Sequence, residues 1–334
     1  MPTITELTQG FKPVETNYAA DLNPFYNAFF KTRKYPRFYQ SLLEMAQYTN
    51  IPLYYWGILQ RTLIVVVRRY IHRPVLYLIL PPINLDLNHN IEFEIMQMFR
   101  EVGCHTRLSE EDMQLFNLSE SDVVKDHNNN EFIYLAGDSK NMPGKKWRNI
   151  RYKINQFAAM ENEGEVKVEY SEEMTPQLYR QCKAVYEIWI KSKEKKSIHS
   201  AHKSFPGSPK SLQKLLVLIY NKKGDLSAWG ASEAIGNQKI VQTTRFRNYN
   251  DDFFVDPTMI IHHRECAYWA EKMGDETLCN FGTGLFPGLI EHKQRLKPIK
   301  TLQLYNLKTE RQIEKSDWDN ACQGDIKSEK GLLF

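Results

Sequence analysis

The stretch FIYLAGDSKNMPGKKWRNIRYKINQF, residues 132–157, joins a short apolar strand to a basic amphipathic helix. Phe132–Leu135 supply the strand, and Pro143-Gly144 form a turn before the helix. Apolar side chains then recur three or four residues apart, as on one face of a helix: Trp147, Ile150, Ile154 and Phe157. This spacing predicts a helix over residues 145–157 that connects two halves of the chain.

Similar series of elements are predicted on both sides of this connecting helix. The first series comprises a helix over 38–47, an antiparallel meander of three strands from residue 53, a helix over 91–102 and a polar turn at 126–131. The second comprises helices over 175–191, 208–222, 256–273 and 288–295, a hairpin of strands 226–234 and 239–248 around Gly236-Asn237, and strands 277–281 and 299–307.

This order predicts a mixed α/β fold of two tandem GNAT-like acyltransferase units, each a mostly antiparallel twisted sheet flanked by helices. The first unit covers residues 1–157 and ends in the basic connecting helix 145–157. The second covers residues 158–310 and carries the expected active site. Residues 311–334 form a polar tail.

Composition excludes a disordered chain, because 42% of the 334 residues are hydrophobic and 12% are aromatic. The net charge of +4 is too small to indicate nucleic-acid binding by itself. Residues 138–223 carry +9, however, against −3 before them and −2 after them. A solvated face and an anion-binding surface both remain open.

Cellular location is predicted from the absence of targeting signals. The first 15 residues contain no apolar core of a signal peptide, and no apolar run approaches 18 residues. The five cysteines form no CxxC pair. We therefore expect a chain without a transmembrane segment in the reducing cytoplasm, while its oligomeric state stays open.

Three stretches in the expected order resemble a known family: residues 132–157, residues 278–298, and the strands that begin with LYYW at residue 53. Together they resemble the DUF2156 family, a tandem-GNAT family similar to the soluble C-terminal domain of phosphatidylglycerol lysyltransferases and related to the Fem peptidyltransferases. The positions that match its pattern are Gly144-Lys145, Arg151, Asn155, Phe157, Gly288-Leu289, Lys293 and Pro298.

Departures from the pattern concern the acceptor more than the fold. The membrane domain of the lipid-modifying members is absent from this sequence. The Gly-rich turn at 282–286 lacks the usual acidic residues, and Ile290 stands where an Arg commonly follows the Gly-Leu pair. The resemblance implies an aminoacyl-tRNA as the donor substrate. It also implies that Lys293 contacts a phosphate or carbonyl group of the substrate, and that Trp189 lies near the acceptor unless it belongs to the core.

Two basic clusters are candidate anion-binding surfaces. Lys145 and Lys146 stand at the start of the connecting helix, where free backbone N–H groups would join them in binding an anion, with Arg148, Arg151 and Asn155 along the helix. Lys191 opens a second cluster, KSKEKKSIHSAHK at 191–203, which could clamp tRNA or DNA. A solvated helix and a surface loop without a role are the alternatives.

The remaining candidates lie on two strands of the second unit. Thr243, Arg245 and Arg247 share one strand face, where the arginines need an anionic partner, either Asp256 or a ligand. Asn280 precedes a turn whose glycines, Gly282 and Gly284, let backbone amides approach a ligand. We assign Lys293, Asn280 and Arg245 to catalysis. Thr243 and the two glycines join the substrate-binding set.

Metal and acetyl-CoA chemistry are not expected. His262 and Cys266 are spaced to share a metal on a helix, but no further ligands accompany them. The turns at 81–90 and 248–258 contain no glycine to cradle a pyrophosphate. We therefore expect no cofactor, and aminoacyl-tRNA in place of acetyl-CoA.

Three functions remain open at this point. The first is transfer of an amino acid from aminoacyl-tRNA to an amine or hydroxyl acceptor, which is a small molecule or a nucleic acid. The second is addition of an amino acid or acyl group to a DNA base. The third is a nucleic-acid-binding module without catalysis.

Overall fold

The computed structural model describes residues 3–46, 54–70, 74–192, 213–248, 250–251, 255–284, 287–309, 311–313, 315–316 and 321. Its helices are α1 (Ile4–Leu7), α2 (Ala19–Thr32), α3 (Leu42–Ala46), α4 (His89–Glu101), α5 (Glu110–Leu115), α6 (Ala136–Asn141), α7 (Arg148–Asn162), α8 (Pro176–Lys191), α9 (Pro257–Met273) and α10 (Pro287–Arg295).

Its strands are β1 (Lys12–Pro13), β2 (Tyr54–Leu59), β3 (Thr62–Tyr70), β4 (Pro74–Leu78), β5 (Ile83–Asn84), β6 (His105–Ser109), β7 (Val123–Leu135), β8 (Val166–Ser171), β9 (Lys214–Asn221), β10 (Leu226–Gly236), β11 (Lys239–Arg247), β12 (Leu278–Thr283) and β13 (Lys300–Leu307). The mixed α/β class with mostly antiparallel strands is confirmed.

The chain divides into two compact units, and each unit consists of segments that are separate in the sequence. The first unit contains Met1–Glu15, Ile51–Asp126 and Leu304–Phe334, and the second contains Thr16–Asn50 and His127–Gln303. The chain passes between the units inside β7 and inside β13. A division into tandem units at residue 157 stays a prediction.

The first unit is built on the predicted meander. β2, β3 and β4 pair antiparallel, β4 pairs with β6 in parallel, and β6 pairs with β13 antiparallel. Asn88 caps α4, whose side chains Ile95 and Phe99 pack against Ile64 and Val66 of β3. The buried strand β3 thus anchors this unit's core.

The second unit pairs β8, β9, β10 and β11 antiparallel, β11 with β12 in parallel, and β12 with β7 antiparallel. The connecting helix is observed as a 3-10 turn at Lys145–Trp147 followed by α7. α7 and α9 contribute to one hydrophobic cluster of this unit, and α8 contributes to another. Thr175 and Asp256 cap α8 and α9, as their positions before proline predicted.

The predicted helix over 208–222 is wrong for its described part, which is strand β9. Leu215, Val217 and Ile219 enter the cluster that contains α7 and α9, while Leu216 and Leu218 enter the cluster that contains α8. A strand that is buried on both faces shows no polar alternation, so its sequence resembles a buried helix.

Two further predictions need correction. The polar turn expected at 126–131 lies inside β7, because tertiary pairing outweighs the turn preference of its asparagines. The helix expected over 38–47 is a 3-10 turn at Phe38–Gln40 followed by α3, and residues 47–50 lie outside the described ranges.

Two buried carboxylates hold the segment around that 3-10 turn inside the second unit. Glu131 accepts from the backbone N–H of Phe38 (3.1 Å), and its side chain is fully buried. Glu233 accepts from Ser41 Oγ (2.6 Å) and from the backbone N–H of Leu42 (3.2 Å). Residues 16–50 therefore belong with the second unit through charge-assisted hydrogen bonds.

We expect Glu233→Ala to lower the free energy of unfolding by about 2–4 kcal/mol, because two buried donors lose their acceptor. Glu163→Ala is the control: Glu163 is exposed, and its loss changes stability by no more than about 0.5 kcal/mol. Denaturant unfolding of both variants measures the difference. Equal stability of the two variants would contradict the anchoring role of Glu233.

Candidate active site

The parallel strands β11 and β12 pair over only three positions, Lys239–Val241 against Leu278–Asn280. Beyond that point no ladder pairing joins them in the described residues. β11 continues to Arg247 against β10, and β12 pairs through Thr283 with Glu131 of β7. Past Val241 and Asn280 the two neighbouring strands are therefore no longer joined to each other by ladder hydrogen bonds.

Phe281 is the first residue of β12 beyond the paired segment, and side chains from three other elements surround its ring. The Arg245 guanidinium carbon lies 3.5 Å from the ring centroid, and Lys293 Nζ lies 4.8 Å from it. The His262 ring stacks at 5.2 Å, and the His292 ring lies at 6.3 Å. We call Arg245, Glu265, Phe281, His292 and Lys293 the splay site.

Arg245 forms a buried ion pair with Glu265 of α9. The two side chains are 5% and 0% exposed. Burial raises the pKa of Glu265 to about 7, although the neighbouring guanidinium lowers it. Within the described residues, Arg245 Nε and Nη1 have no hydrogen-bond partner. These buried N–H groups are therefore donors whose hydrogen-bonding capacity is unused among the described residues.

Lys293 of α10 contacts the end of β12. Its Nζ donates to the backbone oxygen of Phe281 (2.6 Å) and to that of Thr283 (2.7 Å). The residue is only 4% exposed, so Lys293 is not a solvated surface lysine. Its ammonium group ties α10 to the end of β12 and adds positive charge to the splay site.

His292 precedes Lys293 and was not among the residues predicted for the site. Its Nδ1 lies 3.7 Å from Asp256 Oδ2 at the start of α9. Burial lowers the pKa of His292 to about 4; Asp256 opposes this shift, whereas Arg245, His262 and Lys293 add to it. The imidazole is therefore neutral at pH 7. Asp256 was one of the two anionic partners expected for the arginines, and its Oδ1 lies 3.9 Å from Arg247 Nη1.

Asn280 and the glycines hold the end of β12 in place. Asn280 Nδ2 donates to Pro36 O and to Glu131 Oε2, both at 2.7 Å, and its Oδ1 accepts from Gly282 N at 2.7 Å. Gly282 has φ +71°, and a Cβ there would lie 2.7 Å from Phe38. These contacts give Asn280 a structural role, and its assignment to catalysis stays a prediction.

The other two residues of the substrate-binding set on these strands also make backbone contacts. Gly284 N donates to Asn130 O (3.0 Å), and Thr243 Oγ donates to Ala231 O (3.1 Å). Their contact with substrate stays a prediction.

The candidate residues at the start of α7 form a separate basic surface, which we define as Lys145, Lys146, Arg148 and Arg151. The first three are exposed, as is Asn155. Arg151 donates to the backbone oxygens of Met142 and Gly144 and so closes the turn before the helix. Among the described residues, no hydrogen bond or ion pair connects the basic surface to the splay site.

Trp189 packs in the hydrophobic cluster of α8, 5.0 Å from the Phe246 ring and 6.2 Å from the Tyr186 ring. The core alternative therefore accounts for it, and contact with an acceptor stays a prediction. Lys191 is the exposed last residue of α8. The basic stretch that it opens lies outside the described residues from residue 193 onward.

His262 and Cys266 lie buried inside α9 behind Phe281. The thiol is 3.8 Å from His262 Nε2, and His262 Nδ1 is 3.1 Å from Gln242 Oε1. Across the described ranges no group of three or more His, Cys, Asp or Glu side chains is placed to hold a metal ion. The pair is accounted for by packing within the helix.

A cavity of about 660 Å³ lies elsewhere, between β8, β9 and the first turns of α8. Tyr170, Leu178, Leu218 and Tyr220 are among its lining residues, and it shares none with the splay site. At the splay site a buried ion pair and N–H groups without a hydrogen-bond partner among the described residues lie together, which makes it the candidate for the chemistry. Of the helices that the structure describes, none has the length and apolar character to cross a bilayer.

Comparison with known proteins gives a family and a fold. Residues 55–241 match the family described as phosphatidylglycerol lysyltransferase, C-terminal. A conserved protein of unknown function from Bacteroides thetaiotaomicron has a similar structure (TM-score 0.64, 15% identity, 89% of this chain and 98% of that one). The L-PGS of Bacillus licheniformis is similar too (TM-score 0.59, 14% identity, 89% and 95%).

A third similar structure is the DUF2156 C-terminal domain of a putative lysylphosphatidylglycerol synthetase from Agrobacterium fabrum (TM-score 0.58, 10% identity, 87% of this chain and 93% of that one). No curated protein matches the sequence. At these identities the solved structures establish the fold alone.

The lowered pKa of His292 makes stability depend on pH. Between the ordinary value of 6.5 and the folded value of about 4, the unfolded chain binds more protons. The free energy of unfolding is therefore highest above pH 6.5, where His292 is neutral in both states. It falls as the pH drops toward 4, because protonation of His292 favours the unfolded chain. We expect the wild type to lose about 2 kcal/mol between pH 7 and pH 5 from this group, and His292→Gln to lack that part of the slope.

His89→Gln is the matched control, since His89 is 28% exposed beside Glu92 and His292 is 26% exposed beside Asp256. Denaturant unfolding at the two pH values gives the slopes. The neutral state of His292 is contradicted if His292→Gln retains the full acid slope of the wild type.

Proposed function

The chain belongs to the phosphatidylglycerol lysyltransferase C-terminal family of acyltransferases, and we propose that it transfers an amino acid from an aminoacyl-tRNA to an amine or hydroxyl acceptor. The observation that carries this proposal is the splay site, where two buried N–H groups of Arg245 have no hydrogen-bond partner among the described residues, next to the point where β11 and β12 stop pairing with each other. Such donors suit the oxygen of an ester carbonyl that becomes negative during acyl transfer.

The chemistry needs orientation and charge stabilisation more than a covalent intermediate. The acceptor's lone pair attacks the ester carbonyl carbon, and negative charge develops on the carbonyl oxygen. Arg245 and Lys293 supply two cations within 5 Å of the Phe281 ring centroid, in a setting where burial strengthens their effect. The C–O bond to the tRNA ribose then breaks, and the amino acid remains on the acceptor.

The basic surface is the proposed contact for the tRNA. Lys145, Lys146 and Arg148 project exposed cations from one end of α7, and phosphates of a nucleic acid bind such groups without sequence preference. With such a donor, we propose that the reaction takes place in the cytoplasm. We propose that no acetyl-CoA takes part, because the turns at 81–90 and 248–258 lack glycines to cradle its pyrophosphate.

The acceptor is identified by following the amino acid. Total tRNA charged with a mixture of radiolabelled amino acids is incubated with the protein and one possible acceptor at a time. The acceptors are phosphatidylglycerol vesicles, a small-molecule extract and duplex DNA. Protein-dependent movement of label onto one of them supports the proposal, and label on DNA favours base modification. If the ester-bound label stays on tRNA in every mixture, the chain is a binding module and the proposal is wrong.

In this assay we expect Lys293→Met to lower turnover by about 10²–10³-fold, the usual effect of removing one group that stabilises an oxyanion. Methionine keeps the apolar stem and removes the charge. Arg295→Met on the same helix is the control, because Arg295 is 72% exposed and should retain the wild-type rate. Similar rates for the two variants would remove Lys293 from the reacting centre.

The basic surface is tested by salt dependence. Lys145→Ala with Lys146→Ala should flatten the slope of log affinity for bulk tRNA against log salt by about 1.4–1.8, since each lost phosphate contact contributes about 0.7–0.9. The pair Lys183→Ala with Lys223→Ala removes the same charge from other exposed positions and should leave the slope unchanged. Fluorescence anisotropy measures both. Equal slopes for the two double variants would make the basic surface a solvated face.

A further inference from the structure

We propose that His292 is the general base of this transfer, with its Nε2 taking the proton that the attacking acceptor loses. The inference rests on the proposed function, because the proton exists only if an amine or hydroxyl attacks an ester. The residue predicted for catalysis on this helix was Lys293, the neighbour of His292.

The orientation of the imidazole supports this role. His292 Nδ1 points toward Asp256, with 3.7 Å between Nδ1 and Oδ2. A carboxylate at that nitrogen favours the tautomer that carries its proton on Nδ1 and leaves the Nε2 lone pair open. The separation is longer than a hydrogen bond, as is common before substrate tightens a catalytic pair.

Asp256 is held in position by its own partners. Its Oδ1 accepts from the backbone N–H of Thr258 (3.1 Å) and from the Thr258 hydroxyl (2.8 Å) at the start of α9. The carboxylate is therefore fixed by a helix cap while it orients the imidazole. This arrangement has the form of a base aligned by a third group.

Access and charge distinguish His292 from the other candidate bases around Phe281. His262 is 2% exposed and is stacked on Phe281, and Glu265 is 0% exposed and paired with Arg245. The His292 side chain is 26% exposed, which makes it the most accessible of the three. Burial, helped by the positive charges of Arg245 and Lys293, lowers the pKa of His292 and keeps the ring neutral, which is the form that accepts a proton.

The step balances without a further reactant. The lone pair of the acceptor's amine nitrogen or hydroxyl oxygen attacks the ester carbon. The proton on that atom moves to His292 Nε2 as the new bond forms. When the C–O bond to the ribose breaks, the imidazolium returns that proton to the leaving oxygen. The products are the aminoacylated acceptor and a free tRNA hydroxyl, and His292 is neutral again.

The test compares His292→Gln and His292→Ala with the wild type in the aminoacyl-tRNA assay, with His89→Gln as the matched control. We expect His292→Gln to lower kcat by about 10²–10⁴-fold with little change in KM, and added imidazole to restore part of the rate of His292→Ala. A purely structural histidine would not give rescue by imidazole. Folding of each variant is checked by its unfolding curve at pH 7.

A second measurement does not depend on activity. Nitrogen-15 NMR of histidine-labelled protein at pH 7 should show His292 protonated on Nδ1 and unprotonated on Nε2. A proton on Nε2 overturns the inference, as does a wild-type rate for His292→Gln in an active enzyme. If the wild type itself moves no amino acid from tRNA, the proposed function fails, and the base role fails with it.

Discussion

The early separation of β11 from β12 is the constraint on which the candidate site depends. The two parallel strands pair with each other at only three positions in the described residues. Beyond these positions no hydrogen bonds of the β-ladder between β11 and β12 fix their backbone and side chains relative to each other. Phe281 follows the last paired position of β12, and Arg245, His292 and Lys293 lie around its ring. Burying Arg245 with Glu265 costs desolvation that an apolar pair would avoid. Such a cost, together with buried N–H groups that have no hydrogen-bond partner in the described part of the chain, is typical of a site kept for function.

The end of β12 keeps its position because the unit's N-terminal segment packs on it. Asn280 connects β12 to Pro36 and to Glu131, and Gly282 leaves room for Phe38. Glu131 and Glu233 bind this segment through fully or almost fully buried carboxylates. The same strand therefore offers Phe281 to the splay site and Asn280 to the anchoring network, because alternate residues of a strand point to opposite faces.

The sequence predicted the elements that carry local signals. Thr175 and Asp256 before proline gave the starts of α8 and α9, and Gly236-Asn237 gave the turn between β10 and β11. β9 was predicted as a helix because its burial on both faces removes the alternation that identifies a strand. The segment 126–131 has turn-forming residues, yet tertiary pairing makes it part of β7.

The site was predicted only in part, for a physical reason. Lys293 and Arg245 were selected from resemblance and alternation, but the partner of Arg245 is Glu265, twenty positions away on α9. His292 gains its neutral state from burial and from charges on other elements, and no local pattern encodes these. The basic surface could be predicted from the sequence, because the spacing of its residues alone places them along α7.

Hydrogen exchange with a mixture of 3′-aminoacylamino-adenosines tests the central claim most directly, since these mimic the charged tRNA end with an amide bond that cannot transfer. The account predicts slower exchange in the segments that cover β12 and α10. Unchanged exchange there, with protection along β8 and β9 beside the 660 Å³ cavity, would contradict it.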